Sequence, residues 1–364
     1  YHPGGRVPTY GEIFQNPMLS KSYASIAADG PAAFYEGWIA EAIVAKSKEM
    51  DGFMAMKDLA DHTADWVEPV SSNYRGWDVW EIPPNGQGIA ALQILNILEQ
   101  FDIGSMVPNS AEHLHLFAEA KKLAFEDRAM YYADPAFTDV PIEALISKEY
   151  AKKRAALINP DRASTDVSYG DPELDSDTVY LSAADDAGNM ISFIQSNYAG
   201  YGSKICPDGV GFVVQNRGEA FSLDPSHRNK LEPHKRPFHT IIPAFMTRDG
   251  QPVMAFGVMG GDFQPQGHAQ VVMNMIDFGL SPQQPRLGHS GSSRPRGSRM
   301  ENGGELVFEQ GISDEVRLEL AEMGHRVRAG NSAHGGYQAI WREDGPLRYF
   351  GGSDARKDGA ALGY

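Results

Sequence analysis

The sharpest constraint on this chain is a change of character at residues 177/178. Residues 159–177 (NPDRASTDVSYGDPELDSD) are Asp-rich and interrupted by Pro and Gly, the composition of an exposed linker. Two β-prone runs follow, 178–184 (TVYLSAA) and 190–196 (MISFIQS), on either side of the turn signal DDAGN at 185–189. Together they predict a hairpin that opens with Thr178. Thr178 suits that position as an ordinary β-branched strand residue. It also carries a chemical option. Cutting the Asp177–Thr178 bond would give Thr178 a free α-amine, whose reference pKa is about 7.7–8.0. That amine can serve as base for the hydroxyl of the same residue.

Composition narrows the function classes. The chain has 364 residues, 42% hydrophobic, with a mean hydropathy of -0.38, as in ordinary globular proteins. A net charge of -16 argues against nucleic acid or an anionic membrane as partner. The one basic cluster, Arg286, Arg294, Arg296 and Arg299, is too sparse to outweigh it. A single cysteine, Cys206, leaves no internal disulfide and no Cys-based metal cluster. No run approaches the ~18 apolar residues of a membrane span. The chain begins with Tyr1 and shows no signal peptide, so its start reads as a fragment or a processed end, and compartment is not legible.

The first half reads as mostly helical. Helices are predicted over 19–28, 31–50, 56–64, 89–101 and 110–132, with Ser110 as an N-cap. Two strands are predicted within 67–84, ending at Pro83-Pro84-Asn85-Gly86. The second half is β-rich. Beyond the Thr178 hairpin, a buried strand is predicted over 210–215 and a hairpin over 240–258 around Arg248-Asp249-Gly250. A helix over 267–278, a strand at 306–308, a helix at 314–322 and strands at 337–342 and 347–350 complete the chain. Helices, paired hairpins and further helices suggest sheets covered by helices.

Several residues invite chemistry. Gly260-Gly261 stands at a strand-to-helix junction, where backbone N–H groups can approach a reacting carbonyl; two glycines in a tight turn look the same. His115 and Glu119 share a helix face at i,i+4, as metal ligands or as half-buried polar positions. His239 and His268 are catalytic or structural candidates. Arg217 would meet a substrate carboxylate, or an internal partner such as Glu219 or Glu232.

Taken together, the motifs carry a resemblance. Ala32-Ala-Phe-Tyr-Glu-Gly37, Tyr74-Arg-Gly76, Pro83-Pro84, Glu119-Ala-Lys and Asp127-Arg128 precede the hairpin. Lys235-Arg-Pro237, Pro243, Gly260-Gly261, Pro285-Arg286, Gly336-Tyr-Gln338 and Gly363-Tyr364 follow it in order. Over essentially its full length the chain resembles the γ-glutamyltranspeptidase family of N-terminal-nucleophile hydrolases. Residues 1–177 look like the C-terminal part of that family's large subunit, and 178–364 like a complete small subunit.

The resemblance implies an αββα sandwich of two stacked, mainly antiparallel sheets covered by helices. It implies self-cleavage between Asp177 and Thr178, with Thr178 as nucleophile, Ser196 as its hydroxyl support, and Gly260 and Gly261 as oxyanion donors. The partners implied are a small-molecule amide and the two fragments of one precursor, with a homodimer left open; neither cofactor nor metal is needed. Family members are commonly periplasmic or secreted.

The departures concern the pocket. At the positions where the family grips the γ-glutamyl α-amino and α-carboxyl groups, commonly with Asn, Gln, an acidic residue and Ser, this chain has Tyr198, Arg217, Ala220 and His239, and only Thr240 keeps a hydroxyl where the family's second Ser would stand. Ala220 removes the charge partner of a substrate ammonium, and Arg217 adds a positive charge near it. The loop at 223–237 is short for the family, and the start of the large subunit, with its carboxylate-binding Arg, is expected to be missing. Three readings follow: γ-glutamyl hydrolysis or transfer, an amidase for another acyl group resembling cephalosporin acylases, or an uncleaved inactive scaffold.

Overall fold

The computed structural model describes residues 5–165, 176–283, 292–294, 304–308, 311–331, 335–343 and 345–364. Most of the linker, the Pro285-Arg286 motif and Arg296 and Arg299 lie outside them; of Asp177 and Arg294 only the backbone is described. Two compact units emerge, one from residues 1–66 with 201–216, the other from 67–200 with 217–364.

The first unit is helical: α1 (Pro17–Asp29), α2 (Ala32–Tyr35), α3 (Trp38–Glu49) and α4 (Met56–Ala60). Asn16 caps α1 by accepting from Leu19 N–H, and Pro17 supplies a preset φ at its first turn. Ile39 and Ile43 of α3 bury against Val210, and Phe34 stacks on Phe212 at 5.9 Å. The strand expected over 210–215 is not one. Its start, Val210 and Gly211, is buried and Phe212 to Val214 are half-buried, but the backbone is irregular, and the carbonyls of Val210 and Gly211 accept from the Ser22 hydroxyl and the Asn16 amide. A buried apolar run needs a partner for its backbone, and side chains supply that partner as well as a strand does.

The second unit is built on a six-stranded antiparallel sheet. Its strands are β1 (Val70–Tyr74), β2 (Trp77–Glu81), β5 (Ala244–Arg248), β6 (Gln251–Met259), β10 (Gly336–Arg342) and β11 (Tyr349–Ser353), in that order. Helices α5 (Gly88–Leu98), α6 (Ala111–Tyr131) and α9 (Gln264–Ile276) build the core with it. Every residue of α5 is buried, as its sequence, apolar except for Gln93 and Asn96, demands. Two shorter helices, α7 (Ile142–Leu145) and α8 (Lys148–Ala155), pack on α5.

The hairpin β3 (Ser176–Ala184) and β4 (Met190–Ala199) forms a second sheet stacked on β6 and β10. Tyr180 makes the close contact: a Cβ on Gly257 would come within 2.3 Å of its ring. Beside it, the Ser192 hydroxyl donates to the Phe256 carbonyl at 3.3 Å. Stacked antiparallel sheets with packed helices are the layering of the αββα class, as expected. On the hairpin's other face Val179, Leu181, Ile191 and Phe193 are half exposed.

A three-stranded sheet lies apart: β7 (Ser292–Arg294) antiparallel to β8 (Glu305–Phe308), and β8 parallel to β9 (Arg326–Asn331). With α10 (Asp314–Glu322) between β8 and β9, it buries Leu306, Phe308 and Leu320 against Leu114 of α6. Strand β9, a short Arg-Val-Arg-Ala run that ends in Gly-Asn, was not expected. Among the described residues no helix is long and apolar enough to cross a membrane.

Gly257 has no room for a side chain because the neighbouring ring cannot swing away without leaving the inter-sheet core. Gly257→Ala is expected to cost about 1–3 kcal/mol, read as a lower urea midpoint at unchanged m-value; an unchanged midpoint would refute the stacking contact.

Candidate active site

The hairpin's turn sets the register that everything else inherits. The Asp185 carboxylate accepts from the N–H groups of Ala187 and Asn189 and from the Asn189 side chain, at 2.8–3.1 Å, while Gly188 takes φ +87°. From there Ala184 pairs with Met190, and pairing runs regularly to Val179–Gln195 and Thr178–Ser196. Then the register slips, and Asp177 pairs with Tyr198. Asn197 is therefore the extra residue of a β-bulge opposite the 177–178 peptide, and Tyr198 takes φ +78°, rare for a side chain of that size.

At the bulge Thr178 is buried, and its hydroxyl donates to Ser196 Oγ at 3.0 Å. Tyr198 N–H donates to the same oxygen at 2.9 Å. Strand β6 ends nearby in Gly260-Gly261, with φ +132° and +55°, values that L side chains rarely adopt. A Cβ at Gly260 would also stand 3.0 Å from the Gly335 backbone. β3 lies within 8 Å, Cα to Cα, of the turn Gly261–Phe263.

One wall is formed by the turn Arg217–Ala220 and by residues 239–240. Arg217 is buried; its Nη1 donates to Thr240 Oγ1 at 2.8 Å, and its guanidinium lies 4.5 Å from the Tyr198 ring centroid. Burial pulls the Arg217 pKa down to about 10, against the opposing effects of Tyr198 and Asp262. Burial pushes Tyr198 up to about 12, with the Asp262 charge adding to it, so the phenol stays neutral. His239 is held by its N–H to the Asn85 carbonyl at 3.1 Å, and burial, then the Arg217 charge, lowers its pKa to about 4. Ala220 presents only a methyl; its carbonyl accepts from the Asn229 amide.

Behind the glycines sits a group that sequence reasoning missed. The Gln87 amide is fully buried and donates to the Thr240 carbonyl at 2.8 Å and to the Gly261 carbonyl at 2.9 Å. Its oxygen accepts from Arg128 Nη1 at 2.5 Å, and that nitrogen also donates to Asp262 Oδ1 at 2.7 Å. In the sequence Gln87 only follows a turn signal, and nothing local marks what it reaches.

A family model described as gamma-glutamyltranspeptidase matches residues 1–364. The chain belongs to the γ-glutamyltranspeptidase family. It is 38% identical to the "Glutathione hydrolase-like YwrD proenzyme" of Bacillus subtilis, over 99% of this chain and 68% of that protein. It is 32% identical to the "Acylase ACY 1 proenzyme" of a Pseudomonas species, over 96% and 64%. The crystal structure of a cephalosporin acylase from Bacillus halodurans matches with a TM-score of 0.88 and 41% identity, over 100% of this chain and 66% of that one. The chain thus spans about two thirds of the length of these relatives. This is a family of enzymes, and relatives named as proenzymes are made as precursors.

Within this family member the other candidates have structural partners. His268 is fully buried in α9; its Nδ1–H donates to Glu81 Oε1 at 2.6 Å, and its Nε2 accepts from Val258 N–H at 3.2 Å. Burial raises the Glu81 pKa. Glu232 pairs with Lys230 and Lys235.

The fold does bring a third residue to His115 and Glu119: the donor atoms of His115, Glu119 and His325 lie within 4.8 Å of one another. All are engaged. The Asn159 carbonyl can only accept, so His115 carries its proton on Nε2 (2.8 Å), leaving Nδ1 to accept from His325 Nε2 at 2.7 Å. Glu119 accepts from Lys122 Nζ at 2.6 Å and from Ser164 N–H at 3.1 Å. The cluster is a hydrogen-bonded latch on residues 159–164.

Buried histidines make the protein acid-sensitive. Burial depresses His113 from 6.5 to about 4; burial, then Lys122 and His115, depress His325 to about 3. Protonation therefore favours the unfolded chain. Stability is full above pH ~6.5 and falls toward pH 4, by an upper bound on the order of 3 kcal/mol per histidine. Urea denaturation at stepped pH checks this: His325→Gln should show a shallower acid slope than the parent, and equal slopes would contradict it.

Proposed function

We propose that this protein is a self-processing threonine-nucleophile amidohydrolase or acyltransferase. The observation that carries the reading is Thr178 Oγ1 donating to Ser196 Oγ at 3.0 Å, beside a bulge that opens the ladder at the 177–178 peptide. In the precursor Thr178 Oγ attacks the Asp177 carbonyl carbon, the C–N bond breaks, and the nitrogen leaves with the proton as an amine. Water then hydrolyses the ester, releasing the Asp177 carboxyl and the Thr178 hydroxyl. The products are fragments 1–177 and 178–364.

In the processed enzyme the Thr178 α-amine takes the proton of its own hydroxyl as Oγ attacks a substrate amide. Gly260 and Gly261 N–H groups receive the oxyanion. The α-ammonium returns that proton to the substrate nitrogen as the C–N bond breaks, the amine departs, and the acyl ester left on Thr178 passes to water or to an acceptor amine. Ser196 orients the nucleophile throughout.

Family membership supports a γ-glutamyl substrate of the glutathione type. The pocket favours a second reading, an acyl group without an α-ammonium and with a carboxylate. The buried Arg217 cation repels an ammonium and attracts a carboxylate, and Ala220 offers an ammonium no counter-charge. Tyr198 and Thr240 hold Arg217 in place from two sides.

Thr178→Ala should leave one band on a denaturing gel and no amidase activity, while the parent yields two bands. A parent that stays uncleaved in active material would overturn the nucleophile assignment and favour the scaffold reading. For the acyl group, γ-glutamyl and glutaryl anilides are compared. Arg217→Gln should lower kcat/KM for the glutaryl compound by ~10-fold or more, the worth of a charge-assisted hydrogen bond; turnover of the γ-glutamyl compound alone would remove the second reading.

A further inference from the structure

Two glycines make a poor oxyanion hole unless something holds them. Each can adopt several backbone orientations at little steric cost, and an N–H group helps only where it already points at the developing charge. The carbonyl that follows each proposed donor is tied down. The Gly260 carbonyl accepts from Phe263 N–H at 3.0 Å, which fixes the Gly260–Gly261 peptide plane and turns the Gly261 N–H to the opposite side. The Gly261 carbonyl accepts from Gln264 N–H within its own turn and, from outside that turn, from the Gln87 amide at 2.9 Å.

We infer that Gln87 is a positioning residue for this reaction, clamping the oxyanion loop to the substrate wall; this rests on the nucleophile reading given above. The same NH2 group donates to Gly261 and to Thr240, whose hydroxyl holds Arg217. One buried amide therefore sets the distance between the loop that stabilises the oxyanion and the wall that receives the acyl group. Its own orientation is set from behind. Arg128 can only donate, so Gln87 Oε1 faces Arg128 and the NH2 must face the two carbonyls. Arg128 in turn is buried, stacks over Phe125 at 4.1 Å and bonds Asp262, the residue after the glycine pair. The loop is thus held at Gly261 through Gln87 and at Asp262 through Arg128.

The chemistry at residue 87 is specific. Glutamate has the same shape and would still accept from Arg128, but it has no N–H to give and would set a charge against two carbonyl oxygens. Leucine keeps the volume and removes every bond.

The test is Gln87→Glu and Gln87→Leu in the full-length protein, with Thr178→Ala alongside. Both Gln87 variants should lose at least tenfold in kcat, with a smaller change in KM, and should self-cleave more slowly. Affinity for an alkylboronic acid, which forms a tetrahedral adduct with a threonine hydroxyl, should weaken at least tenfold, while affinity for the free acyl product changes less. A general loosening of the fold would weaken both ligands alike and would overturn the inference. Should Gln87→Leu fail to fold, Gln87→Glu carries the test. Kinetics and boronate affinity within twofold of the parent, where Thr178→Ala is inactive, overturn the inference alone. Activity surviving in Thr178→Ala overturns the nucleophile reading and the inference with it.

Discussion

The arrangement depends on the strand register of one hairpin. Asp185 closes the turn, and every pair from Ala184–Met190 to Thr178–Ser196 follows from it. Side chains alternate along a strand, so a one-residue slip would send Thr178 to the half-exposed face that now carries Val179 and Leu181. Tyr180 prevents such a slip from the other side, since its ring occupies the space above Gly257. Turn and inter-sheet contact thus agree on one register, and the bulge falls at the 177–178 peptide because the regular ladder ends there.

A second feature is how much charge and polarity the protein buries, and how it distributes the cost. Along α6 the side chains of His113, His115, Glu119, Lys122, Asp127 and Arg128 are all buried. Each is matched with a partner from another element, and an unmatched one would cost several kcal/mol. These matches do different jobs at the two ends. Near Glu119 they fix residues 159–164, upstream of the hairpin. Near Arg128 they reach Gln87 and Asp262, and through them the loop that follows β6. One helix therefore holds both residues 159–164 and the loop that follows β6.

Much of this was legible in the residues. The hairpin, the strand pairs at 67–84 and 240–258, the long helix capped by Ser110 and the glycine pair all stand where alternation, apolar spacing and breaker residues put them. The strand expected at 210–215 failed because an apolar run states that a segment is buried but not what satisfies its backbone. His268 and the His115–Glu119 face offered two meanings each, and a ring nitrogen's role depends on which atom lies opposite it. The third member of the latch, His325, is 210 residues from His115, beyond the reach of any local pattern.

Sequence alone determined the family and the position of the hairpin that carries Thr178, although its first strand starts two residues earlier than expected, at Ser176, because local periodicity and short motifs are written in neighbouring residues. Tertiary structure alone decided the environment of Arg217 and the reach of Gln87. Both depend on contacts between segments tens to more than a hundred residues apart, and chain folding, rather than chain order, brings such groups within a hydrogen bond's length.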